Sequence, residues 1–118
     1  MQFEVVDNET DYALLALKGR LDSESVNRIE TQFNAWTVAQ KKHAIVDFSE
    51  VSFLASMGLR MLIAAGRPIK RQGHRLILVA PQDMVTEVIT RSGILLDGIV
   101  TIVANREEAL AKLAEKPK

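Results

Sequence analysis

From Tyr12 onward, short apolar runs rich in Val, Ile and Leu alternate with segments in which apolar residues recur at steps of three and four. Alternation of this kind leaves few folds open. Strands connected through helices pair in parallel by right-handed crossovers, and the helices must cover the sheet they connect. A first strand-like stretch carries Phe3, Val5 and Val6, and a polar turn over residues 7–11 joins it to a second strand over residues 12–17. Gly19 interrupts the pattern. Asp22, Ser23 and Glu24 then supply the cap and first turn of a helix that places Val26, Ile29, Phe33 and Trp36 on one stripe and ends at Lys41 and Lys42.

Residues 44–48 read as a short, apolar, central strand, followed by a turn and a helix that opens on Ser56. The apolar face of that helix is formed by Leu59, Leu62, Ile63, Gly66 and Ile69. Pro68 lies inside it and costs about 3 kcal/mol in a helix interior, which predicts a kink or an early end near Gly66. Gly73 closes the unit, and residues 75–80 form the next strand. Pro81 suits the first turn of a helix in which Met84, Val85, Val88 and Ile89 face inward and which Gly93 terminates. A last strand over residues 99–103 precedes a helix capped by Asn105 with Glu108 three residues on, ahead of Ala109, Leu110 and Leu113. Residues 116–118 read as a frayed tail. The expected fold is α/β, with a mixed sheet of about five strands and about four helices.

Length and charge narrow the function. With 118 residues, 47% of them apolar, one domain spanning 1–118 with a core over about 2–114 is expected. Fifteen basic and fifteen acidic residues cancel, so no long-range field draws the chain to nucleic acid or to an anionic membrane. No cysteine is present, which removes disulfides and thiolate chemistry. No stretch has the apolar length for membrane insertion or for a leader, and a cytoplasmic location is expected. His43 and His74 are the only imidazoles, without a serine or carboxylate at a catalytic or metal-ligating spacing. No phosphate-binding glycine loop occurs. The chain is therefore not expected to be an enzyme or to hold a metal or cofactor.

Ser56 stands out because a helix start leaves backbone N–H groups unpaired at the positive end of the dipole. A hydroxyl there is a natural cap and also a good seat for a phosphate. The residues around it, Asp47-x-Ser49-x-Val51-x-Phe53-Leu54-x-Ser56-x-Gly58-Leu59, resemble the signature of the STAS domain, a module shared by bacterial anti-sigma factor antagonists and the cytoplasmic tails of sulfate transporters. Gly19-Arg20-Leu21-Asp22, Gly73-His74-Arg75-Leu76 and Ser92-Gly93-Ile94 resemble further segments of the family in the same order. Aligned on Gly58, the serine that a partner kinase phosphorylates in the family is Ser56, while Ala55 and Met57 stand where the family usually has Asp and Ser.

The resemblance implies a STAS-like sheet and a partner switch. The unmodified protein would bind an anti-sigma factor that is itself a serine kinase, phosphorylation would release it, and a phosphatase would reset the cycle. ATP would belong to the kinase. The implied contact set is Ala55, Met57, Gly58, Arg60 and Met61 around the switch serine, with Asp22, Ser49 and Ser52 nearby. Purely local roles compete for several of these. Ser49 and Ser52 suit a turn after the strand, Asp22 is an ordinary helix-start acid, and Asp47 suits accepting backbone N–H groups. The basic group Arg67, Lys70, Arg71, His74 and Arg75 reads as a solvated helix end. A second reading of the whole chain is a constitutive STAS subunit bound to the ATPase of a membrane lipid ABC transporter.

Overall fold

The computed structural model describes residues 1–115. Strand β1 (Gln2–Asn8) turns into β2 (Tyr12–Leu21), helix α1 (Ser23–Trp36) leads through a single 3₁₀ turn (Val38–Gln40) into β3 (His43–Leu54), and α2 (Ser56–Arg71) follows. The chain continues through β4 (Leu76–Val79), α3 (Asp83–Ser92), β5 (Thr101–Val103) and α4 (Arg106–Leu113). The five strands form one sheet in the order β1-β2-β3-β4-β5. β1 pairs antiparallel with β2, and every later pair is parallel, as the alternation predicts.

Each crossover from β2 to β5 steps to the adjacent strand in the same direction, and right-handed connections of that kind put their helices on one face. The core shows it. One large cluster joins Leu15, Leu17, Val46 and Phe48 of the sheet to Val26, Ile29 and Phe33 of α1, to Met61, Leu62 and Ile69 of α2, and to Val85 and Ile89 of α3. The opposite face has a smaller cluster, Leu14, Ile45, Ile77, Val79 and Val103, closed by Ala109 of α4 with Leu113 beside it.

Several boundaries differ from the sequence expectation. β2 passes through Gly19, at φ +115°, and ends only at Leu21. β3 extends to Leu54 rather than stopping at Phe48, because it takes up extra residues as bulges. Ala16 and Lys18 pair with Asp47 and Glu50, and Gly19 and Arg20 with Val51 and Phe53, so β3 gains one residue on β2 at each step. These bulges let Phe48, Val51 and Leu54, three residues apart, all reach the main core.

Lys41 and Lys42 lie past the end of α1. That helix stops at Trp36, with the Thr37 hydroxyl donating to Phe33 O at 2.7 Å, and Lys41 sits in the left-handed region after the 3₁₀ turn. Pro68 does not end α2. Ala65, Gly66 and Ile69 around it are buried, and the burial of that face outweighs one missing hydrogen bond. Gly66 is a contact point instead of a break, since a Cβ there would lie 2.5 Å from Ile99 Cγ2 and 2.7 Å from Ile99 O.

β4 covers residues 76–79, one residue shorter than expected at each end, and β5 covers residues 101–103, starting two residues later than expected and ending where expected. α3 starts at Asp83 after the cap Gln82, leaving Pro81 outside the helix, and Met84 is 65% exposed instead of facing inward. Gly93 ends α3 at φ +82°, and the Asn105 side chain caps α4 by accepting the Glu108 N–H at 2.8 Å, both as expected. The expected tail, residues 116–118, lies outside the described residues.

Candidate functional site

Ser56 is held by the junction of β3 and α2. Leu21 and Leu54 are register partners at the parallel ends of β2 and β3, and the Ala55 N–H donates to Leu21 O at 3.0 Å. This bond stitches the start of α2 to the start of α1, whose cap is Asp22. Gly58 permits the close approach. A Cβ on it would lie 2.8 Å from Leu21 Cγ, Leu21 O and Leu54 Cδ1, two of which belong to packed side chains and one to backbone.

The cap of α2 is Ala55, in extended conformation and without a side-chain hydrogen bond, and Ser56 is the first helical residue. The expectation that Ser56 itself caps the helix is therefore corrected by one position. Its hydroxyl is exposed and has no capping duty.

Around Ser56 the structure sorts the sequence candidates. Arg60 is exposed, Met57 is half-buried against the main core, and Gly58 is buried. Met61 is 1% exposed and belongs to the core, so it offers no contact surface. The buried stripe of α2 runs through Gly58, Met61, Leu62, Ala65, Gly66 and Ile69, which turns Leu59 and Ile63 to the flank and Met61 inward. Asp22 accepts the Ser25 N–H at 3.1 Å, while the Ser25 hydroxyl accepts the Asp22 N–H at 2.9 Å, closing a capping box. The Ser25 backbone bond, with the Ser25 hydroxyl and the charge of Arg20, holds the Asp22 carboxyl below its ordinary pKa against some desolvation.

Arg20 was not among the sequence candidates. Its guanidinium lies over the Phe53 ring at 4.1 Å from the centroid, and its Nε is 3.7 Å from Asp22 Oδ2. Only the pairing of Arg20 with Phe53 across two strands brings these groups together.

Ser49 and Ser52 are exposed on β3, at its bulges rather than in a turn. Ser49 stands five residues before Leu54, about 16 Å along an extended strand, and belongs to a separate cluster. Asp47 Oδ1 accepts the Ser49 N–H at 2.9 Å, and Oδ2 takes Arg106 Nη2 at 3.0 Å and Nε at 3.3 Å. Gln82 Nε2 donates to Ser49 O at 3.0 Å. Burial alone would raise the pKa of Asp47, but the Ser49 and Arg106 hydrogen bonds and the Arg106 charge lower it overall. The local role foreseen for Asp47 is thus present, with Arg106 and Gln82 as partners from distant sequence. The cluster ties the β3 bulge to the starts of α3 and α4.

The opposite pole has another character. His43 Nδ1 accepts the Arg75 N–H at 2.9 Å, and the His74 ring meets His43 edge-on at 5.0 Å. Burial first, then the neighbouring His74 and Arg75, holds the His43 pKa below its ordinary value, with Asp11 opposing. Arg67, Lys70 and Arg71 are exposed at the end of α2, while Arg75 is half-buried and 3.9 Å from Glu115. Among the described residues no group of three His, Cys, Asp or Glu could hold a metal ion, and no helix is long and apolar enough to cross a membrane.

β3 thus ends one residue short of the α2 cap, the exposed Ser56 opens α2 with the buried Gly58 behind it, and Asp22 caps the neighbouring α1. A family model for the STAS domain matches residues 2–109. The chain belongs to the STAS domain family.

This STAS domain is 19% identical over 94 residues to the anti-sigma-B factor antagonist of Listeria monocytogenes, across 80% of this chain and 82% of the relative. The protein of the same name from Listeria innocua matches to the same extent. Among solved structures, an anti-sigma-factor antagonist (STAS) domain protein from Planctomyces limnophilus is similar with a TM-score of 0.77 and 19% identity, over 96% of this chain and 98% of that one. The Bacillus cell fate determinant SpoIIAA in its phosphorylated form is similar at a TM-score of 0.69 and 24% identity, over 94% of this chain and 98% of that one. Its unphosphorylated form gives 0.70 and 22%, over 94% and 96%. The mixed five-stranded sheet with four helices is the fold these proteins share with it.

Proposed function

We propose that this STAS domain is an anti-sigma factor antagonist, a protein-binding switch whose state is written on Ser56. The observation that carries the reading is the position of Ser56: first residue of α2, exposed, relieved of capping by Ala55, and set on a rigid junction by the Ala55–Leu21 bond and the close seat of Gly58. An anti-sigma factor with serine kinase activity is the partner, and a phosphatase acts on the modified form. In the transfer, the Ser56 Oγ forms a bond to the γ-phosphorus of the kinase's ATP, the bond to ADP breaks, and the hydroxyl proton passes to a base of the kinase. Relatives named anti-sigma-B factor antagonist support the reading, as does a similar fold solved with and without phosphate.

Phosphate adds about −1.5 to −2 charges to a face that must be desolvated on docking, so it opposes the complex. The helix N-terminus accommodates the same charge, so the fold persists. The contact face comprises Ser56, Ala55, Met57, Arg60 and Asp22. Incubation of the chain with a candidate partner kinase and ATP, followed by peptide mass spectrometry, tests this. Phosphate on Ser56 is the expected result. A partner that is active on another substrate, yet leaves Ser56 unmodified while still binding the chain, would overturn the switch in favour of a constitutive subunit.

A further inference from the structure

Ser56 and Arg60 are both exposed on α2, which is continuous from Ser56 to Arg71. Side chains four residues apart on a helix are surface neighbours, with Cβ atoms about 5–6 Å from each other. A guanidinium on its flexible stem spans that gap. An anion placed N-terminal to a cation at this spacing is also the favourable order, consistent with the helix dipole.

The unmodified chain leaves this arrangement half-built. Residue 55 is alanine, and the first turn of α2 contains no acid. The nearby acid is already engaged: Asp22 holds the Ser25 N–H and lies beside Arg20, which in turn covers Phe53. The ion pairs among the described residues do not include Arg60. A cation therefore stands one turn from the serine, with no anion opposite it.

We propose that Arg60 is a positioning residue for a phosphate on Ser56, its guanidinium closing over the phosphate in an intrahelical pair. The inference rests on Ser56 being the phosphoacceptor. A phosphate offers three strong acceptor oxygens, and an arginine fork matches two of them at once. Modification then changes the docking face twice, adding an anion and withdrawing the Arg60 cation from it. Because the pair forms within one helix, the phosphorylated state is held without rearrangement of the sheet.

The test needs no kinase, so its failure is separable from failure of the phosphoacceptor reading. Phosphoserine is installed at position 56 by codon reassignment in the full chain, and the phosphorus resonance is titrated in the wild-type background and in Arg60→Gln and Arg60→Lys. The helix end acts on the phosphate in all three proteins, so differences between them isolate residue 60. The expected result is a second phosphate pKa lower by roughly 0.3 unit with arginine than with glutamine at low salt. Lysine should recover part of that difference, and about 1 M salt should shrink it. Superimposable titrations of the arginine and glutamine proteins would overturn the proposal. Residue 60 is exposed, so the three phosphoserine-56 chains, with Arg, Gln or Lys at position 60, should melt together, which establishes that the compared proteins are equally folded.

Discussion

α1 and α2 start side by side at the same pole of the molecule, and they start differently. The beginning of α1 is closed by its own side chains, with Asp22 and Ser25 exchanging hydrogen bonds and Glu24 in the first turn. The beginning of α2 has an alanine cap, no side-chain bond and no acid in its first turn. One end is stabilised locally and is chemically occupied. The other is positioned by tertiary contacts, through Gly58 and the Ala55–Leu21 hydrogen bond, and keeps its serine exposed. On the proposed function, a helix end that accepts a modification and a partner is better held from behind than capped from in front, since a cap consumes the N–H groups that an added anion would use.

The largest effect should come from breaking the support behind α2. Gly58→Ala places a methyl 2.8 Å from Leu21 O and Leu54 Cδ1. It should destabilise the fold by about 1–3 kcal/mol, read as a lower urea midpoint with an unchanged slope. A smaller loss is expected for Asp22→Asn, which weakens the capping box of α1, and here pH gives the sharper test. The Asp22 carboxyl is held below its unfolded pKa, so its contribution is fully present above about pH 4 and is lost as pH falls through the lower folded value. The Asn variant should lose stability at neutral pH and converge on the wild type in acid; two parallel curves would refute the assignment.

Ala55→Asp makes the two ends alike. It should add about 0.5–1 kcal/mol of stability by capping the Gly58 N–H, and that gain should likewise fade in acid. Unchanged stability would mean that tertiary contacts already prevent the cap from closing. The smallest effect on the fold is expected from Ser56→Asp, within about 0.5 kcal/mol by thermal melting, because an acid at the first helical position is tolerated by the dipole. The same variant should weaken binding to the proposed partner kinase while Ser56→Ala retains it. Equal binding by both would remove charge as the switching agent.

Much of the fold was legible because its signals are local. The alternation of strand and helix patterns, the Asp22 cap, the Asn105–Glu108 pair and the Gly93 terminus each depend on residues within a few positions of one another. Where the reading failed, a distant partner decided. Met61 and Leu59 lie two residues apart, and which of them is buried depends on how α2 is rotated against the sheet. Met84 is outside because α3 packs through Val85 and Ile89. β3 continued past Phe48 because bulged pairing with β2 gave Val51 and Leu54 a core to enter, which their own spacing of three does not announce as a strand. Pro68 is tolerated because Gly66 and Ile69 are already committed to packing.

By itself the sequence determined the class of fold, the parallel connections and the serine worth testing, because periodicity, caps and a compact motif are written in neighbouring residues. Tertiary structure alone decided that Ser56 is the first helical residue and not its own cap, that Arg20 stacks on Phe53 beside Asp22, and that Arg106 and Gln82 secure the bulge at Ser49. Those contacts join residues from separate strands and helices. Their geometry exists only after the sheet has set its register, since a chain's local preferences cannot specify which distant groups the pairing of β2 with β3 will bring face to face.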